Sequence, residues 1–156
     1  MDGGDTTTPW TADIVSEGEW AGWAISSGDP FERYAGPFYS RRDPETGEVV
    51  CAFRAEPRHM NGGGFMHGGV YLTFADYALW PIGGEVLAGG GSVTASLGGE
   101  FLDGAEVGDL IEARGEVTRA GNSLVFLRGM ITTAGRPLFS FSGIVKKVRR
   151  RPAPAS

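Results

Sequence analysis

Apolar residues recur four apart from Val70 onward. Val70, Phe74 and Ala78 lie on one line, and Tyr71, Ala75 and Leu79 on the next. This spacing predicts an α-helix that is apolar around much of its girth, and such an element is buried. It starts near His67 or Gly68, after the glycine-rich run from Asn61 to Gly69. It ends or kinks near Trp80, because Pro81 loses a backbone bond and crowds the carbonyl of Tyr77. One carboxylate interrupts the pattern. Asp76 has Leu72, Thr73, Leu79 and Trp80 as its i±3 and i±4 neighbours. A carboxylate there is costly without partners or a task.

Elsewhere the period is two. Phe38 to Arg42 and Glu48 to Ala55 read as strands of a hairpin, joined by Asp43-Pro44-Glu45-Thr46-Gly47 with proline early and glycine late. After a link at Ala88 to Gly91, Ser92 to Leu102 sets Val93, Ala95, Leu97 and Phe101 on one face and Thr94, Ser96 and Glu100 on the other. Leu110 to Arg119 alternates in the same way. Leu124 to Thr133 is apolar on both faces for much of its length, and Leu138 to Val148 completes a meander after Gly135-Arg136-Pro137. Thr11 to Ile25 reads as a short helix with Ile14, Trp20, Trp23 and Ala24 as its stripe, weakened by Gly18 and Gly22. The expected organisation is a tail with a short helix over 1–30, one domain over 31–148 and a disordered tail over 149–156. The class is α+β: a long central helix wrapped by a curved antiparallel sheet.

Composition narrows the field. A chain of 156 residues, 41% hydrophobic and 21% charged, fits one soluble domain. Its 26 glycines exceed twice the usual share and imply tight turns and close backbone approaches. Net charge is −5, which gives no electrostatic footprint for nucleic acid; the basic run from Lys146 to Arg151 is short and reads as a strand end. Cys51 is alone, so no intrachain disulfide forms. No apolar run is long enough to span a membrane, and MDGGDTTTPW lacks the regions of a secretory signal. A cytoplasmic protein is expected. Two histidines and one cysteine at these spacings make no zinc set, GGGFMHGG lacks the lysine of a phosphate loop, and no G-x-S-x-G occurs. No cofactor or metal is expected.

Asn61-x-x-Gly64-x-x-His67-Gly68-Gly69 followed by Ala75-Asp76 resembles the hotdog-fold acyl-CoA thioesterases of the PaaI-like branch, which includes phenylacetyl-CoA and related thioesterases. Val93-Thr94, Gly108-Asp109 and Arg119-Ala120-Gly121-Asn122-Ser123 extend the resemblance over roughly Phe31 to Val148. The resemblance implies a hotdog fold and hydrolysis of an acyl-CoA, of medium-chain or aryl type. It implies Asp76 as the catalytic acid, Asn61, His67 and Gly68 around the thioester carbonyl, and Thr94 assisting the water. Gly69, Phe65, Met66 and Trp80 become candidates for substrate contact, with Tyr77 and Phe101 beside them. Arg119, Asn122 and Ser123 fall where the family places nucleotide contacts. It further implies a homodimer, with the acid of one subunit facing the loop of the other, and tetramers. Trp80-Pro81 and Leu97-Gly98-Gly99 depart from the pattern and put the aryl-acetyl substrate in doubt.

The residues suit that chemistry. A thiolate leaves readily, so a thioester needs a polarised carbonyl and delivered water or carboxylate. A helix N-terminus offers unsatisfied N–H groups, and Gly68 leaves the approach open. Asp76 serves as general base or as nucleophile. Plainer readings stand beside these. Asp76 can be a structural hydrogen-bond partner, His67 a helix cap and Thr94 an ordinary strand residue. Arg119, Asn122 and Ser123 can simply make a turn, and Arg54, Arg58 and His59 are phosphate contacts or solvated surface. An acyl-CoA-binding module without catalysis is the alternative function. A dehydratase would carry a different Asp/His pairing, which is not seen.

Overall fold

Strand β4 (Val49–Arg54) shows how the molecule is layered. Cys51 and Phe53 face the main core, and Val50 and Ala52 point the other way into a second cluster with Trp23. The computed structural model describes residues 12–26 and 28–148. Their antiparallel sheet has eight strands in the order β1-β2-β3-β4-β6-β7-β8-β5. The strands are β1 (Ala12–Ile14), β2 (Ala24–Ser26), β3 (Tyr39–Arg42), β4, β5 (Gly91–Phe101), β6 (Leu110–Ala120), β7 (Leu124–Thr133) and β8 (Arg136–Val148). One face holds helix α2 (Gly68–Gly83), and a short helix α1 (Pro30–Ala35) packs beside it. This is the hotdog architecture expected from the sequence.

The core lies between α2 and the sheet. Phe74 and Leu79 of α2 meet Phe38, Phe53, Ile111, Leu127, Ile131 and Phe139, all essentially inaccessible to solvent. Fully burying one such side chain contributes about 1.5–3 kcal/mol. The hairpin forms as expected: Gly47 adopts φ +74°, and its N–H donates to Asp43 O at 2.8 Å.

Four expectations need correction. Residues 12–26 are not a helix. Gly18 and Gly22 take φ +80° and +84°, which breaks helical geometry, and the flanking residues pair as β1 and β2. The tryptophans cover the back of the sheet instead. Trp20 stacks on Tyr39 at 4.2 Å, and the Arg41 guanidinium sits 4.4 Å over Trp23. Second, Asp29-Pro30 starts α1 rather than marking a turn alone. Asp29 Oδ1 accepts from the N–H groups of Phe31 and Glu32 at 2.9 and 3.0 Å, and proline occupies the first turn. Third, α2 runs through Pro81 to Gly83, because a proline in the last turn removes a single helical bond. Fourth, α2 is not wrapped on all sides: Leu72 is exposed and Thr73 and Asp76 are half-buried, which leaves an open strip. The expected tails over Met1 to Pro9 and 149–156 lie outside the described residues.

The glycine pair of β5 divides in two. A Cβ on Gly99 would run into the carbonyl oxygen of Ser140 and the ring of Phe139, whereas one on Gly98 meets nothing within 4 Å. Gly99→Ala is therefore expected to lower stability by about 1–3 kcal/mol through overpacking. Gly98→Ala is expected to change it by about half a kcal/mol at most. Urea unfolding midpoints of the two variants check this directly.

Candidate active site

The glycine-rich loop is a built structure. Asn61 N–H donates to Phe65 O at 2.7 Å, and Asn61 Oδ1 accepts from Gly63 N–H at 2.8 Å and Phe65 N–H at 3.3 Å. Gly64 turns the chain at φ +86°. Met66 and His67 then tie down by backbone bonds to Ala105 O and His59 O, each 2.8 Å. Asn61 thus shapes the loop, and its side-chain NH₂ group retains its donors.

His67 caps α2. Its Nδ1 accepts from Gly69 N–H at 2.9 Å, so its other ring nitrogen carries the proton when the ring is neutral. Gly68 N–H has no acceptor among the described residues and stands at the positive end of a helix of 16 residues. A Cβ at Gly68 would come within 3.3 Å of the Phe101 ring, which is half exposed beside it.

Asp76 and Thr94 come together across the layers. Thr94 Oγ1 donates to Asp76 Oδ1 at 2.6 Å. Simple alternation puts Thr94 on the face opposite Leu97 and Phe101. A bulge between Thr94 and Ser96 reverses the alternation, so Thr94 meets α2, Leu97 still packs on the core and Val93 is 49% exposed. Of the expected neighbours of Asp76, Leu72 and Thr73 share its cleft, but its surroundings are more open and more acidic than the helix pattern implies. Asp76 is half-buried, not enclosed, and lies in a cleft of about 280 Å³ lined by Asp29, Phe31, Glu32, Leu72, Thr73 and Tyr77.

Glu32 is the functional-looking residue that sequence reasoning missed. Its Oε2 is buried and has no hydrogen-bond partner among the described residues. Burial, then the charges of Asp29 and Asp76, push its pKa up to about 7, against an opposing pull from the Ser26 hydroxyl. The Asp29-Pro30-Phe31-Glu32 sequence signals a helix start with an acid in its first turn, but nothing in it signals burial. Tyr77 lines the same cleft, and burial raises its pKa as well.

The raised pKa has a stability consequence. Between the ordinary value of 4.5 and about 7 the folded chain binds more protons at Glu32 than the unfolded chain does. This contribution is fully present below 4.5 and is lost as pH rises through about 7. Glu32→Gln keeps the neutral shape at every pH. Its melting temperature is expected to match the wild type near pH 4.5 and to exceed it by a few degrees at pH 8. A thermal-melt series across that range measures the gap.

The other candidates separate. Met66 is buried in the core, and Trp80 is half-buried against it. Phe65 is half exposed beside Gly104, and none of these three lines the Asp76 cleft. Arg119 is the penultimate residue of β6, and Asn122 and Ser123 form the turn into β7. Ser123 O accepts from Lys147 N–H at 2.8 Å there. His59 is not a phosphate contact: its ring is buried between Ala35 O and Glu56 N–H, at 2.8 and 2.9 Å. Arg58 binds Tyr34 O, Gly36 O and Glu56, and Arg54 binds Gly108 O and Glu19.

A single long helix under a curved sheet, with an acid–hydroxyl pair on its open strip and a free amide at its start, defines a hotdog-type site. The thioesterase superfamily model matches residues 63–140. A Pseudomonas aeruginosa protein provisionally named an esterase, PA0474, is 32% identical over 114 residues, 70% of this chain and 81% of that one. The chain belongs to the thioesterase superfamily. Among solved structures, the Escherichia coli PaaI protein from the phenylacetic acid degradation operon has a TM-score of 0.66 at 19% identity, over 78% of this chain and 86% of that one. A hypothetical thioesterase of Streptococcus pneumoniae, solved with coenzyme A, has a TM-score of 0.62 at 20% identity, over 74% and 88%. The hypothetical thioesterase from that strain has also been solved with an aspartate, and separately a threonine, replaced by alanine. At these identities the structural likeness carries the fold. No helix among the described residues is long and apolar enough to cross a membrane.

Proposed function

We propose that this protein is an acyl-CoA thioesterase that hydrolyses a medium-chain or aryl acyl-CoA to the free acid and CoA. The observation that carries the reading is the 2.6 Å bond from Thr94 to Asp76 on the open strip of α2. The donated bond holds the carboxylate and leaves the Thr94 oxygen lone pairs for a water. Asp76 takes a proton as that water attacks the thioester carbon. An oxyanion forms and is met by the Gly68 N–H; the intermediate collapses, and the CoA thiolate leaves and regains the proton. Direct attack by Asp76, through a mixed anhydride that water then cleaves, balances equally.

One chain does not complete this site. Gly68 and Asp76 are eight residues apart on one helix, about 12 Å along its axis at ~1.5 Å per residue. The amide that meets the oxyanion over Asp76 must come from a second copy. A homodimer, doubled into a tetramer, supplies it. Edge strand β5, which among the described residues pairs only with β8, is the surface that joins the copies. Asn61 and His67 of the second copy's glycine loop support the carbonyl, with Gly69 and Phe65 of that same loop flanking the acyl group. Arg119, Asn122 and Ser123 hold the CoA phosphates; Arg119 has no ion-pair partner among the described residues, and Lys146 and Lys147 lie beside the turn. The solved structure of the pneumococcal protein with CoA, and its aspartate and threonine variants, support looking for the same chemistry here.

The test is thiol release from short, medium, long and aromatic acyl-CoAs. Turnover on medium or aromatic members is expected. Tight binding with no thiol released would leave a binding module instead.

A further inference from the structure

We propose that Glu32 makes the cleft beside Asp76 an acyl subsite for an uncharged acyl group that carries a hydrogen-bond-accepting oxygen, a keto or hydroxyl group. This rests on the reading of Asp76 as the thioesterase acid and names the substrate more finely. Three observations meet at this point. The cleft of about 280 Å³ contains both carboxylates, Glu32 from α1 and Asp76 from α2. Its rim is apolar at Phe31 and Leu72, which are partly exposed. One Glu32 oxygen is buried with no partner among the described residues, an arrangement that costs stability unless something fills it.

The wall chemistry selects the occupant. The charged and titratable groups facing Glu32 are Asp29 at the start of α1 and Asp76 and Tyr77 on α2, with the Ser26 hydroxyl of β2 alongside. Among the described residues, none that lines the cleft is a cation. An acyl group ending in a carboxylate is therefore repelled by Asp29 and Asp76. Near neutral pH a substantial share of Glu32 is protonated, and a protonated carboxyl donates one O–H. A keto or hydroxyl oxygen placed beside the thioester accepts that bond. A plain hydrocarbon chain leaves it unmade.

The experiment compares acyl-CoAs in pairs of equal length, one saturated and one with a keto oxygen stepped along the chain, at pH 6 and pH 8. For the best-placed oxygen, the wild type is expected to prefer the keto member by about tenfold or more in kcat/KM at pH 6. The preference shrinks at pH 8, because an ionised carboxylate cannot donate. Glu32→Gln, whose amide donates at either pH, keeps the preference at pH 8. Glu32→Leu brings the ratio to about one. Chain-matched acyl-CoAs ending in a carboxylate are poor substrates for the wild type. Equal rates on keto and saturated partners, or a preference that survives in Glu32→Leu, overturn the proposal and leave the thioesterase reading standing. Absence of hydrolysis on every member overturns both. Should Glu32→Leu not fold, the pH dependence and the Gln variant decide alone.

Discussion

Asp76→Asn is expected to lower kcat for thioester hydrolysis by about 10²–10⁴-fold, the usual contribution of a positioned general base. Asparagine matches aspartate in shape, and its side-chain oxygen accepts the Thr94 hydroxyl bond that Asp76 Oδ1 accepts now. The half-buried position and the packing of Leu72 and Thr73 around it do not change. What is lost is the basic, nucleophilic carboxylate. The expected signature is a collapse of kcat with KM little altered and a melting curve close to that of the wild type, because the variant removes a group used in the transition state. Thiol-release kinetics and a thermal melt on the same sample check it. Turnover within a fewfold of the wild type would remove Asp76 from the chemistry under either mechanism.

The second large effect concerns Gly68. Its N–H has no acceptor among the described residues, and it is the first residue of α2. Proline is tolerated at that helix position, since the missing N–H makes no helical bond there. The residue before it, His67, already has φ −64° and ψ 138°, which suits a residue preceding proline. A Cβ at this position meets only the Phe101 ring within 4 Å, and that ring is partly exposed. Gly68→Pro is thus a backbone deletion of one donor in a chain that still folds. A loss of about 10²–10³-fold in kcat is expected, the magnitude typical of one missing oxyanion donor.

Mixing Gly68→Pro with Asp76→Asn tests the shared site. With random assortment, half of the dimers contain one of each variant. In such a dimer one of the two sites combines an intact Asp76 with an intact Gly68 N–H. Recovery of about a quarter of wild-type activity is expected after the two inactive proteins are unfolded and refolded together, as a symmetric dimer requires. A site confined to one chain would recover nothing. The contrast does not depend on knowing the best acyl group, provided one measurable substrate is in hand.

Much of the scaffold was legible because it rests on local rules. Four-residue apolar spacing marked α2, and alternation with turn chemistry marked the hairpin and the meander. The resemblance picked out Asn61, His67, Gly68, Asp76 and Thr94, and the last two do meet. The glycines at 18 and 22 were visible as a weakness in the N-terminal helix, but their left-handed conformation depends on the tryptophans having a sheet to cover. The bulge in β5 left no trace in the alternation, so the facing of Thr94 was read one residue out of phase.

By itself, the sequence determined the long central helix, the strands of the hairpin and of the meander with their tight turns, and which acid, histidine and glycines form a recognisable set; it did not determine the pairing of residues 12–26 or the short helix α1. The features it determined follow from side-chain period, backbone conformational preference and short-range spacing. Only the tertiary structure decided that Asp76 lies on an open strip, that a bulge swings Thr94 onto it, and that Glu32, forty-four residues earlier, shares its cleft. Desolvation and contact between distant segments depend on how layers pack, and no local pattern of residues carries that information.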